Sequence, residues 1–282
     1  MSSVSAGKKR KASDDYTHST AEHSGPQGSG SASPTSSHPQ KPKPEEQLAG
    51  YALEILGSTS GTRHHAFGIL MHGSLMQPWY YDAAGIISAK DTISMEHEFG
   101  LFASVIVAFY RCSEQQWGRL DIVGPDSFPS TPSAFPFRTL EGGTVHVGNA
   151  QIVFEGQIHC QHALVGRRTA VYGATVKQLG KPDRPGVIKI SYQVTTRRPE
   201  WEFIQDGHNC QVKHLPEVIA YQDFARFSDG VWGALFPENS DMYEDRVLRM
   251  IVFPRYTPIY EVINADNFAT VLRQLVDCEQ IY

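Results

Sequence analysis

Apolar residues spaced three and four apart mark the first element of the chain. Leu48, Tyr51, Ala52, Ile55 and Leu56 form such a stripe, so residues 45–57 predict an amphipathic helix ended by Gly57. Alternation then predicts two strands, Ala66 to Met71 and Pro78 to Tyr81, around a His72-Gly73-Ser74 turn. Helical spacing returns in Phe99, Phe102, Val105, Ile106 and Phe109, predicting a helix over 98–111. The stretch from Val123 to Pro136, rich in Pro and Ser, predicts a linker.

The second half is β-branched. Segments 144–160, 163–179 and 187–193, broken by glycine turns, predict an antiparallel sheet. A short helix is expected to start at Pro199, where the missing N–H costs nothing at a first helical position. Strands are expected again at 215–221 and 246–253. A last helix, with Asp266 as N-cap, carries Phe268, Val271, Leu272, Leu275 and Val276 on one side. That stripe needs a partner surface, so self-association is expected if nothing else covers it. The fold class is α+β.

Charge divides the chain. Of 25 Lys and Arg against 30 Asp and Glu, six cations and three acids fall in residues 1–44, leaving the remainder at −8. A net-acidic body argues against neutralising a nucleic-acid backbone, so no nucleic acid partner is expected; one local nucleotide pocket is still allowed. Residues 1–44 hold 20 Ser, Gly and Pro and only seven apolar residues, the composition of a disordered tail. Within that tail Lys8-Lys9-Arg10-Lys11 is a basic cluster of nuclear-import type, or else a solvated charge run. No apolar run approaches the ~20 residues of a membrane helix, and no signal-peptide core opens the chain, so an intracellular protein is expected. Four scattered cysteines without a C-x-x-C fit reduced thiols.

Several chemistries fail on spacing. Gly57-Ser58-Thr59-Ser60-Gly61 has Thr where a nucleophile elbow needs Ser. His97-Glu98 opens a zincin phrase, but Leu101 occupies the second histidine position. Gly173 to Lys181 is misspaced for a P-loop. His159, Cys160 and His162, like His208, Cys210 and His214, are ligand types, but strand alternation sends neighbours to opposite faces.

One ordered constellation survives. Gly166-Arg167-Arg168-Thr169-Ala170-Val171 lies at a strand–turn–strand, followed by Val187-Ile188-Lys189-Ile190 and a helix carrying Glu200 and Glu202. A glycine turn brings backbone N–H groups to phosphate oxygens, and a strand lysine adds a point charge that a helix carboxylate can hold in place. Taken singly, Lys189 reads equally as an edge lysine covering apolar surface, and Glu200 as an acid favoured by the helix dipole.

In that order the residues resemble the fungal-type protein kinase family, from near Glu45 to the end of the chain. The phrases are Trp79-Tyr80-Tyr81-Asp82-Ala83-Ala84-Gly85-Ile86-Ile87-Ser88, Leu164-Val165-Gly166-Arg167-Arg168-Thr169, and Val187-Ile188-Lys189-Ile190-Ser191 with Arg197-Arg198-Pro199-Glu200. His214-Leu215-Pro216 and Tyr243-Glu244-Asp245-Arg246-Val247-Leu248-Arg249 follow. The resemblance implies a tail (1–44), a family-specific α+β extension (45–140), and a kinase-like small lobe running into a large lobe (141–282). It implies ATP and Mg as cofactors, Lys189 as the nucleotide-phosphate lysine and Glu200 as its partner, with Glu202 as fallback. Gly166, Arg167, Thr169 and Val171 would contact nucleotide, and residues 249–256 would form the adenine-facing hinge.

Two departures shape the expected function. Arg168 stands where the family loop has a second glycine, and no His-Arg-Asp phrase occurs before Tyr282. Asp223-Phe224-Ala225 resembles a magnesium motif but precedes the hinge. The chain is therefore expected to be the catalytically incomplete N-terminal portion of a kinase that transfers phosphoryl groups from ATP to protein hydroxyls. The alternative is a non-catalytic, pseudokinase-like interaction protein, nuclear if the basic cluster acts.

Overall fold

The structure, a computed structural model, describes residues 4–6, 41–58, 63–120, 140–237, 240–264 and 266–279. The basic cluster, most of the expected tail and the Pro-rich linker lie outside the described residues.

Chain order begins with strand β1 (Val4–Ala6) and helix α1 (Pro44–Ser58), then strands β2 (His65–His72), β3 (Leu75–Asp82), β4 (Ile86–Ala89) and β5 (Ile93–Ser94). Helix α2 (Phe99–Arg111) ends this region. Strands β6 (Thr144–Val147), β7 (Ala150–Cys160), β8 (Ala170–Gln178) and β9 (Arg184–Val194) lead to helix α3 (Glu200–Asn209). Strand β10 (Ala220–Arg226), helix α4 (Val231–Leu235), strand β11 (Arg246–Pro254) and helices α5 (Ile259–Val262) and α6 (Phe268–Glu279) complete a mixed α+β fold.

Two antiparallel sheets result. The first runs β1-β4-β3-β2 with β5 beside β3; the second runs β10-β11-β9-β8-β7-β6. In the first sheet Val4–Ala6 pair with Ile87–Ala89, covering backbone groups that the edge of β4 would leave bare. The second sheet curls until its ends meet, where Gly148, at φ +57°, donates its N–H to Gln222 Oε1 at 2.9 Å. Inside the curl lie Ile152, Phe154, Tyr172, Ile188, Ile190, Tyr192, Leu248 and Met250, all buried. Tyr80, Ala83, Ala84 and Ile87 of the first sheet's region join the same core.

Several boundaries move for local reasons. The expected strand 163–179 starts only at Ala170. Ahead of it the positive φ of Gly166 (110°) and Arg168 (43°) breaks the extended ladder. The expected strand 215–221 starts at Ala220, after His214 has turned through φ 63°. Pro199 is extended (φ −64°, ψ 145°) and precedes α3, which makes Glu200 its first residue. Asp266 does not cap α6. Asn264 Oδ1 accepts the N–H groups of Asp266 and Asn267, and Asn267 Oδ1 accepts the Asn264 N–H in return. Residues 249–254, expected in a hinge, belong to β11, where Met250, Ile251 and Val252 are buried between β9 and β10. Only from Arg255 does the chain leave the sheet.

Candidate functional site

Lys189 sits in the middle of β9. Its register partners are Val171 on β8 and Ile251 on β11, and Ile251 in turn pairs with Tyr221 on β10. Cross-strand partners share a face, so Val171, Lys189, Ile251 and Tyr221 form one row, opposite the buried Ile188 and Ile190. The first turn of α3 lies over this row. Trp201 stacks on Tyr221 with centroids 3.7 Å apart and planes 10° from parallel. One residue earlier, Glu200 Oε2 accepts a hydrogen bond from Lys189 Nζ at 2.5 Å. Lys189 and Glu200 are 26% and 38% exposed, so water screens the pair and its worth lies in orientation rather than stability.

The two glutamates of α3 are divided between two cations. Glu202 accepts from Arg198 Nε at 3.0 Å, and Arg198 also pairs with Asp206. Lys189 is thus joined to Glu200 and not to Glu202.

A cavity of about 490 Å³ opens beside the pair, lined among others by Gly166, Arg167, Lys189, Arg197, Glu200 and Arg246. Of the expected nucleotide contacts, Gly166, Arg167 and Lys189 line it; Thr169 and Val171 do not. With Arg198 the lining holds five cations and a single carboxylate, in a chain whose net charge is −5. Such a surplus of cations around one recess raises the local potential and attracts anions.

The glycine turn differs from the expected phosphate cradle. The Gly166 N–H donates to Ala83 O at 2.9 Å, and the Thr169 N–H to Gln161 Oε1 at 3.4 Å. Arg167 O accepts from the Tyr192 N–H at 2.8 Å. These bonds pin the turn against β9 and the first sheet. Arg168 takes a left-handed backbone, at φ 43°, and turns its side chain inward. Its guanidinium donates to His64 O (3.0 Å), Arg63 O (3.1 Å) and Leu56 O (3.4 Å), and lies over the Tyr192 ring. Being 6% exposed, it ties the turn to the end of α1 and the start of β2, and is spent on structure.

Sequence reasoning missed a second buried polar centre. Asp82 is fully buried; its Oδ1 accepts the Ala84 and Gly85 N–H groups, and its Oδ2 accepts the Trp232 indole N–H at 2.7 Å. Burial pushes its pKa up to about 6, against the pull of these donors and of Tyr80. Nearby His64 is held down to about 3, first by burial and then by the neighbouring His65 and Arg168 charges. An acid inside the apolar phrase from Trp79 to Ser88 was the available signal; its partner Trp232 lies 150 positions away.

Magnesium does not fit these residues. No group of three or more His, Cys, Asp or Glu converges among the described residues, which also leaves the two His/Cys clusters without a metal constellation. Glu200 faces Lys189, and Asp223 of the Asp-Phe-Ala phrase is held by Arg249 through two bonds of 2.5 and 2.6 Å. No disulfide forms among the described cysteines, and no helix among the described residues is long and apolar enough to cross a membrane.

Among known proteins, the family described as fungal protein kinase matches residues 10–231. No curated protein and no solved structure matches.

Proposed function

The chain belongs to the fungal protein kinase family, and on that premise we propose that it is the nucleotide-binding portion of a fungal-type kinase, holding ATP phosphates in the Lys189 cavity. The observation that carries this reading is the Lys189–Glu200 pair at the mouth of a cation-lined recess. An antiparallel sheet whose lysine strand leads directly into a helix bearing the partner acid supports a kinase-like small lobe.

In this reading Lys189 Nζ is a point charge for phosphate oxygens, and Glu200 keeps it from folding back along its own strand. Gly166 and Arg167 close the other side of the recess. Bound ATP would supply the γ-phosphoryl group that the family transfers to protein hydroxyls. Residues 1–282 alone are proposed not to complete that transfer, because positioning an acceptor hydroxyl needs a base that this cavity does not offer: its one carboxylate is already committed to Lys189.

A second reading, a non-catalytic interaction protein, is favoured by α2. None of its residues is buried, and Phe99, Leu101 and Tyr110 are 66%, 51% and 91% exposed.

Thermal unfolding of the whole chain with and without ATP tests the first reading. ATP should raise the melting temperature of the wild type and not of Lys189→Ala, while radiolabel transfer to protein stays absent. A wild type indifferent to ATP overturns nucleotide binding. Lysine-dependent transfer overturns incompleteness.

A further inference from the structure

The cavity holds more positive charge than one lysine-based phosphate site explains. Lys189 and Arg198 are paired with acids on α3, and Arg246 with Glu244. Arg167 and Arg197 have no carboxylate partner among the described residues. Arg246 is 9% exposed, and its Nε–H is buried without an acceptor. Burial lowers the Arg246 pKa; Glu244 and Asp82 oppose the shift, while Arg197 and Arg167 add to it, so the three guanidinium groups lie within each other's field.

Topology explains the convergence. Arg167 lies beside β9 at Tyr192, through the bond its carbonyl accepts from the Tyr192 N–H. Arg246 flanks β9 on the other side, paired with Val194. Arg197 follows where the chain leaves β9. Arginines from three segments therefore surround one strand end, a few residues beyond Lys189 and on the wall of the same recess. Arg246 is anchored by Glu244 and by the Tyr192 carbonyl, so the charge left over is that of Arg167 and Arg197, and a bound polyanion offsets it.

The recess, at about 490 Å³, is of the size that takes one small ligand rather than two. Lys189 is one pole of it and the arginines are the other. Guanidinium forks match phosphate geometry and carry the charge that a metal ion would otherwise supply to a polyphosphate.

We propose that the Arg167–Arg197–Arg246 pole takes the terminal phosphate of a nucleoside triphosphate in the place of a divalent cation. The chain then prefers triphosphates to diphosphates and binds them without metal. This rests on the nucleotide reading above and extends it to ligand class and metal dependence.

Calorimetric titration of the full chain with ATP, ADP and inorganic tripolyphosphate, each in excess EDTA and in Mg²⁺, tests it. ATP affinity should survive EDTA, and ADP should bind about tenfold more weakly, the scale of one charge-assisted hydrogen bond. Arg167→Ala and Arg197→Ala, both at exposed positions, should each weaken ATP by about that factor and leave ADP nearly unchanged. Lys189→Ala should weaken both nucleotides. Apo variants that melt no lower than the wild type exclude misfolding as the cause.

Loss of ATP binding in EDTA, or equal affinities for ATP and ADP, overturns the arginine pole and leaves nucleotide binding standing. Arginine-dependent binding of tripolyphosphate with no binding of either nucleotide upholds the anion pole and overturns the nucleotide reading. Binding that no variant alters overturns both.

Discussion

The two faces of β9 share one backbone and have opposite fates. On the inner face Ile188, Ile190 and Tyr192 are 0%, 1% and 1% exposed. They pack in a core joined by the first sheet and edged by Asp82, Trp232 and Arg168. On the outer face Lys189 and Gln193 stay part-exposed beside a cation-lined recess. Asp82 and Arg168 inside each make three hydrogen bonds; outside, Lys189 has one acid partner and can still donate to a ligand. The first condition holds a fold together, and the second leaves a surface able to receive a ligand.

Substitutions can break that contrast, and the largest effect should come from the inner side. Trp232→Ala removes a ring that is 1% exposed and leaves Asp82 Oδ2 without its donor, so urea unfolding should show a loss of about 4 kcal/mol. Trp232→Phe, which keeps most of the volume, should cost clearly less.

Arg168→Ala should cost about 3 kcal/mol, because three carbonyls lose a buried cationic donor. Arg168→Gly should be the milder of the two by about 1 kcal/mol, since φ 43° suits glycine and strains alanine. Alanine proving milder would mean that the backbone of the turn relaxes on losing the side chain.

Acid titration separates two buried groups of opposite sign. Asp82 has a folded pKa of about 6, above its unfolded value of ~3.9. The folded state therefore binds the extra proton, and this group's contribution falls as pH rises from about 4 to 6, by of order 3 kcal/mol. His64, held down to about 3, does the reverse: the unfolded chain takes up the proton, so stability is lost as pH drops below ~6.5. The two slopes oppose each other between pH 4 and 6. Asp82→Asn should unmask the histidine slope, with stability falling on acidification, and His64→Gln should unmask the reverse. Parallel curves for wild type and both variants, from chemical denaturation at several pH values, would contradict this pairing.

The smallest change in stability should come from the outer face. Lys189→Ala breaks a pair whose members are 26% and 38% exposed, so the loss should stay under about 1 kcal/mol while the ATP-dependent shift disappears. A large unfolding penalty here would make Lys189 a structural residue and remove the contrast between the faces.

Much of this was legible locally. The alternation of Val187 to Ser191 sends Lys189 away from Ile188 and Ile190, and the positions of Pro199 and Glu200 fix where α3 starts, to within one residue. These depend on backbone periodicity, which a short stretch carries by itself. The strand expected at 246–253 is β11 to within one residue, whereas the hinge that the resemblance implied over 249–256 overlaps it, and only the partners β9 and β10 show that 249–254 stay in the sheet.

The chain by itself thus determined that a strand lysine, a glycine turn and a helix acid come in this order, because each is set by neighbours a few residues away. Tertiary structure alone decided that Glu200 rather than Glu202 meets Lys189, once Trp201 had seated α3 on Tyr221. It also decided that Arg168 turns inward to carbonyls more than 100 positions distant, and that Asp82 finds Trp232. The physical reason is desolvation. A buried charge or amide must find its partner somewhere in the closed core, and which partner it finds depends on how the distant segments pack, a property that no local pattern carries.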